Sequence, residues 1–327
     1  MRRIAPAIGL FFLAPFIAEY LLGDLTLKLL PAMVVLAPLY GGGALLVREV
    51  VRRTGRGWPS LLFLALAYGI FEEAFTTQTL FNPNYLGMNM HLLDHAYLPS
   101  LGIGAWWTIF VLTLHTVWSI STPILLAEAL WPERSTEPWL NPAGLVIIVI
   151  LFLFGSAAST LMSYKRDHYV ATTTQFAVAA VACGLMIAIA TWLHKPEGES
   201  IGGRAPSPWI VGTLALAACS AFKLIPNRRG WLAVGAYVLL FAVSTYTVSL
   251  WSRATDWDGR HRLALAGGAA LAYAWHSFFM HPVVGAEGMN PRVSNAVFSL
   301  IALILLWIAA RRVRVATSGP AVAVNAT

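Results

Sequence analysis

Charge is scarce in this chain. Lys, Arg, Asp and Glu make up 11% of its 327 residues while 58% are hydrophobic, against roughly 25% charged residues in ordinary soluble domains. That shortage excludes a water-soluble fold with a conventional charged surface. Cysteine is nearly absent too. Cys183 and Cys219 both lie inside apolar blocks, so neither a CxxC metal site nor a disulfide framework can be built. HExxH spacing is missing, and no internal repeat recurs at a fixed period. The net charge of +7 could suit nucleic acid, but Lys and Arg fall mostly in short segments between apolar blocks, where they set membrane topology. No nucleic-acid partner is expected.

What the chain has in abundance is apolar length. Blocks at 4–23, 28–47, 58–80, 103–131, 143–162, 173–194, 208–222, 231–251, 263–283 and 295–310 are mostly long enough to cross a hydrocarbon core of roughly 30 Å as helices. Trp58, Trp106, Trp131, Trp192, Trp209 and Trp251 stand near block edges, where indole favours the interface. The expected fold is an all-α, polytopic transmembrane helical bundle of about ten spans, in contact with the lipid bilayer. Nine is the alternative, because 208–222 rises only about 22 Å. Residues 1–312 form one transmembrane domain, and 313–327 are expected to be a disordered cytoplasmic tail.

Positive charge arbitrates the span count. With ten spans and the N-terminus inside, the inner segments hold 15 of the 22 Lys and Arg and the outer ones 7; if 208–222 does not cross, the split becomes 13 to 9. Ten spans with both termini cytoplasmic fits better, in what is expected to be a plasma (inner) membrane. Glu19 interrupts the first block and no small-residue cleavage site follows, so that block reads as a retained span rather than a signal peptide. The loop 81–102 has no Lys or Arg and is expected outside, packed over the bundle through Phe81, Leu92 and Leu93.

Ionisable groups at bilayer depth cost roughly 2.5–3.5 kcal/mol each on insertion scales and mark functional sites by default. Glu72 and Glu73 sit in the outer half of the third block, about 100° apart on a helix. Thr108, His115, Ser119 and Thr122 share one face of the fourth block. Tyr273 and His276 lie in the ninth and Glu19 in the first, after Pro15. At about 1.5 Å per residue, Glu19, Glu72, His115 and His276 rise to a similar height, where they could form one polar pocket. Carboxylates and imidazoles together suit a divalent metal such as zinc. The expectation is Glu72 and Glu73 as catalytic carboxylates and His115 and His276 as metal ligands, with Glu19, Thr108, Ser119, Thr122 and Tyr273 lining the pocket. The plainer alternative is that each polar group satisfies a neighbouring helix. In the loop, His91, Asp94 and His95 also have ligand spacing, but a solvated role accounts for them. Glu128 could reach water or pair with Arg134.

The Glu-Glu pair in one apolar helix, with His115 in the next long one, resembles the CPBP (CAAX protease and bacteriocin-processing) family of intramembrane metalloproteases, over residues 68–122. Glu72 and Glu73 match the start of that family's EExxxR motif. Thr77 or a neighbour stands at its Arg, Val111 at the Phe of FxxxH, and Met280 at the last position of HxxxN. The resemblance implies attack of an activated water on a peptide bond within the membrane, one Glu acting as general base. The expected function is therefore an intramembrane metal-dependent hydrolase acting on a peptide or small-molecule substrate. The rivals are a proton-coupled carrier, with Pro15 and Pro123 breaking its helices, and a non-catalytic membrane subunit.

Overall fold

The computed structural model describes residues 4–193, 202–283 and 290–318. They form ten helices in the order expected: α1 (Ala5–Leu21), α2 (Leu27–Arg53), α3 (Trp58–Thr76), α4 (Ala105–Leu130), α5 (Pro142–Asp167), α6 (Thr173–Trp192), α7 (Pro208–Leu224), α8 (Trp231–Trp251), α9 (Gly259–His276) and α10 (Pro291–Ser318). Seven of these are long and apolar enough to cross a membrane. Of the other three, α1 and α7 are apolar but shorter, and α9 opens on Gly-Arg-His-Arg. A two-residue antiparallel pairing, β1 (Tyr97–Leu98) with β2 (Ile103–Gly104), lies within the loop before α4.

The loops sort into two ends of the bundle. At one, Arg56 Nε donates to Ala190 O at 3.2 Å, Ala205 N to Asp256 at 2.7 Å, and Arg312 Nη1 to Leu130 O at 2.5 Å. At the other, Asn82 Nδ2 donates to Asp167 at 2.8 Å, Ala171 N to Gln78 at 2.8 Å, and Val283 N to Asp24 O at 3.1 Å. Every helix therefore runs from one end to the other, α7 included. Its start meets His261 of α9, whose Nε2 lies 3.1 Å from Pro206 O, and its last turn carries Lys223 into electrostatic range of Asp24 and His276. The helix runs two residues beyond the apolar block, to Leu224. The starts of α1 and the end of α10 share the first end, where Gly9 and Arg312 both approach Trp131.

α4 is the central helix, packed against α1, α2, α3, α9 and α10. α5, α6 and α8 form the periphery, and Ile150, Phe154, Val181, Leu232 and Leu239 project outward from them. Large apolar side chains facing out suit lipid rather than water. Close approach is arranged by small residues. Pro15 has no N–H for the carbonyl of Phe11, and that carbonyl lies against Gly41, where a Cβ would come within 2.0 Å of it. Gly43 leaves room for the Tyr68 ring, which the next subsection places in the site.

Three departures from the sequence expectation involve charged residues. α2 runs on to Arg53, so Arg48 and Glu49 are helical and wholly buried instead of lying in a loop. α10 continues to Ser318, so a tail boundary at 312 falls inside the helix; residues 319–327 lie outside the described residues. Glu128 pairs not with Arg134 but with Arg48 at 3.0 Å and Arg52 at 2.7 Å. The reason is common: the apolar pattern stops where charge begins, yet paired charge can stay buried when every donor finds an acceptor. Arg48 illustrates this, bonding Glu128 and the carbonyls of Arg134, Ser135 and Glu137 under the Trp139 ring. The loop 81–102 does pack over the bundle, with Phe81, Leu92 and Leu93 buried.

Gly41→Ala is expected to destabilise the protein by about 1–3 kcal/mol, as overpacking does in other tight interiors. Gly235→Ala, whose Cβ meets nothing within 4 Å, should be neutral. Thermal unfolding of both in detergent checks the contrast.

Candidate functional site

Three helices loosen at one level. Phe16–Leu21 in α1, Glu72–Thr76 in α3 and His115–Ser121 in α4 are wound as π-helix, a rare wider turn that recurs at functional sites. Proline accounts for two of them. Pro15 immediately precedes the first, and Pro123, just beyond the third, offers no N–H to the carbonyl of Ser119. The π turn in α3 holds the two carboxylates, and the chain leaves the helix directly after it at Thr77. Glu19, Glu72, Glu73, His115 and Ser119 all sit within these turns.

The turns meet around the His115 ring. Its Nε2 lies 2.6 Å from Glu73 Oε1, while Nδ1 lies 3.2 Å from Ser119 Oγ and 3.1 Å from Glu72 Oε2. All three residues are buried. One ligand atom from each of Glu72, Glu73 and His115 falls within a group no wider than 4.8 Å. Glu73 is held firmly: its Oε2 accepts from the hydroxyls of Thr77 and Thr79, and Thr79 Oγ1 in turn accepts from Trp107 Nε1 at 3.1 Å. Glu72 is not. Its Oε2 is sealed from solvent with no hydrogen-bond donor, out of line with the ring nitrogen that faces it. The Tyr68 hydroxyl is likewise buried, and its nearest polar neighbour is the Glu72 carboxylate.

Two tyrosines complete the wall. The Tyr40 ring stacks on His115 at 6.1 Å and the Tyr68 ring meets it edge-on at 6.0 Å. Tyr40 OH donates to Glu19 Oε1 at 2.5 Å, which brings the third carboxylate beside the cluster. Carboxylate oxygen and imidazole nitrogen are both donors that zinc accepts, and the Glu72 oxygen that lacks a hydrogen-bond donor lies among them.

Of the residues expected from sequence, Glu72, Glu73, His115, Ser119 and Glu19 are brought together. Thr108 gives its hydroxyl to the O of Gly104, the residue just before its helix, at 2.9 Å, and Thr122 is buried after the π turn has ended. The extra residue in that turn shifts the face on which the four polar groups would otherwise align. His276 and Tyr273 do not join the cluster. Tyr273 stacks on Trp118 at 4.4 Å, and His276 keeps Nδ1 buried without a partner in the neighbourhood of Lys223. Equal height did not imply equal side, because α9 packs on α7. Tyr40 and Tyr68 are the members that sequence reasoning missed; the clue was a tyrosine directly preceding three glycines in an apolar helix. His91 and Asp94 pair at 2.8 Å in the open loop, while His95 turns to the Trp106 ring.

With this geometry in view, the chain can be classified. It is a helical integral membrane protein, and it belongs to an uncharacterized membrane protein family whose profile matches residues 10–326. That membership overturns the CPBP resemblance: the match is to a different family, and the motif positions that departed at Thr77, Val111 and Met280 are real departures. No curated protein and no solved structure matches the chain.

Thr79→Val removes a donor from Glu73 and an acceptor from Trp107 at once, and should cost about 1–3 kcal/mol. Thr108→Val, which loses only a local bond to the residue preceding its helix, should stay within about 0.5 kcal/mol. Unfolding midpoints in detergent distinguish the two.

Proposed function

We propose that this protein is an intramembrane metal-dependent hydrolase centred on Glu72, Glu73 and His115. The observation that carries the reading is the buried three-residue donor cluster, within 4.8 Å, beside a Glu72 oxygen that has no donor. Glu73 and His115 Nε2 would hold a divalent cation such as zinc; Thr77 and Thr79 fix the carboxylate, and Ser119 fixes the ring through Nδ1. Orienting partners of this kind are what a metal-ligating His and carboxylate require. A divalent cation bound there would supply Lewis acidity and lower the pKa of a water toward neutrality. Glu72, adjacent and facing the His115 ring at Oε2, would hold a proton there as general base. Tyr68, whose hydroxyl faces the Glu72 carboxylate, would turn it to a carbonyl oxygen on a peptide or small-molecule substrate. Burial excludes bulk water, so these charges act at low dielectric.

A second reading, a proton-coupled carrier, is favoured by one feature: His115 turns a ring nitrogen toward each of two carboxylates, an arrangement able to pass a proton between them.

Metal content of the purified protein after zinc loading tests the first reading. Wild type should retain about one equivalent, His115→Ala and Glu73→Gln should lose it, and Glu72→Gln should keep the metal while hydrolysis falls by about 100-fold or more. A wild type that retains no metal, or a His115→Ala variant that retains as much as wild type, overturns it. Proton flux in vesicles that Glu72→Gln abolishes without any metal would establish the carrier instead.

The end of the bundle at which Arg52, Arg56, Arg260 and Arg312 lie is assigned to the cytoplasm, with both termini, in a plasma (inner) membrane. A cysteine at Asn89 should then label from outside, and a reporter fused after Ala316 should report inside; the opposite pattern inverts the orientation.

A further inference from the structure

The basic end carries a second charged feature that the hydrolase reading does not use. Four guanidiniums, Arg48, Arg52, Arg53 and Arg262, gather there around two carboxylates. Glu128 takes its bonds from Arg48 and Arg52, and Glu49 from Arg53, with Arg48 3.5 Å away. Asp258 adds no compensation, because Arg260 at 2.8 Å and His261 at 2.9 Å already engage it. Arg262 is left over. It is half-buried and within electrostatic range of Glu128, Arg52 and Asp258, and among the described residues its guanidinium forms no hydrogen bond or ion pair. It lines a cavity of about 170 Å³ between α4, α9 and α10, with Glu128 and Ser135 on the polar side and Leu125, Val313 and Ala316 on the apolar side.

An uncompensated, partly buried charge is costly unless something answers it. Guanidinium forks answer planar or tetrahedral oxyanions best, and basic pockets between helices at a membrane's cytoplasmic side suit lipid headgroups. We propose that this cavity binds a phosphate-type oxyanion through Arg262. The ligand is either the headgroup of an anionic phospholipid, its acyl stem along Leu125 and Val313, or a free phosphate. Glu128 is kept from repelling the anion by the two arginines that neutralise it. The site is separate from the carboxylate cluster, so its existence does not depend on the metal reading.

The test is thermal unfolding of the purified full chain in detergent, titrated with phosphatidylglycerol, with phosphatidylcholine, or with inorganic phosphate alone. Phosphatidylglycerol should raise the midpoint saturably and phosphatidylcholine should not. Arg262→Gln should weaken the response at least about tenfold, and Arg262→Lys should keep part of it. If Arg262→Gln does not fold, Ala316→Glu, which sets a carboxylate at the cavity rim, should produce the same loss. Saturable stabilisation by inorganic phosphate alone would identify the free anion as sufficient, and a response confined to the lipid would identify the headgroup. The proposal is overturned if neither ligand stabilises wild type, or if the variants respond as wild type does.

Discussion

The burial of Glu72 and Glu73 against one imidazole is the constraint around which the bundle is arranged. An ion held at low dielectric costs several kcal/mol even after relaxation, so neighbouring elements must come close and bring dipoles. α4 supplies His115 and Ser119, the end of α3 supplies Thr77 and Thr79, and α2 supplies Tyr40. That closeness is possible only where side chains vanish. Gly69 faces the His115 Cβ and Gly43 faces the Tyr68 ring, so the apolar packing and the polar cluster are one design. The π turns follow from the same demand, since a wider turn re-aims a side chain without ending the helix.

The two ends of the bundle are stabilised differently. At the basic end, the Arg48 guanidinium is bonded on every side and ties α2 to α4 and to the segment before α5. At the other end, the contacts are hydrogen bonds that join loops to one another or to a helix terminus, such as Asn82 and Leu86 N with Asp167 and Tyr169 with Phe81 O. A network in which each member has several partners opens less readily than isolated bonds near solvent. The carboxylate cluster lies toward the looser end, beneath the 81–102 loop, which is where access from outside would be easiest to arrange.

Much of the fold was legible because apolar length is a one-dimensional property. The ten blocks became ten helices, and the scarcity of charge, the small residues at Gly41 to Gly43 and the apolar residues of the 81–102 loop each had the consequence their chemistry predicts. The Glu pair and His115 could be picked out for the same reason: a carboxylate in an apolar helix is an anomaly that needs no partner to be noticed. Boundaries were less legible where buried charge continued a helix, as at Arg48 and Glu49.

What the sequence determined by itself was therefore which segments enter the membrane and which residues do not belong there unpaired. Only the tertiary structure decided who meets whom. His276 rises to the same height as Glu72 but stands with Lys223, because rotation of α9 about its axis and its packing on α7 are set by side chains from distant segments. Tyr68 enters the site for the converse reason. Nothing in the local sequence of Tyr68 distinguishes it from other aromatic residues in apolar helices, and it is the missing side chain of Gly43 on α2 that leaves room for its ring beside the imidazole.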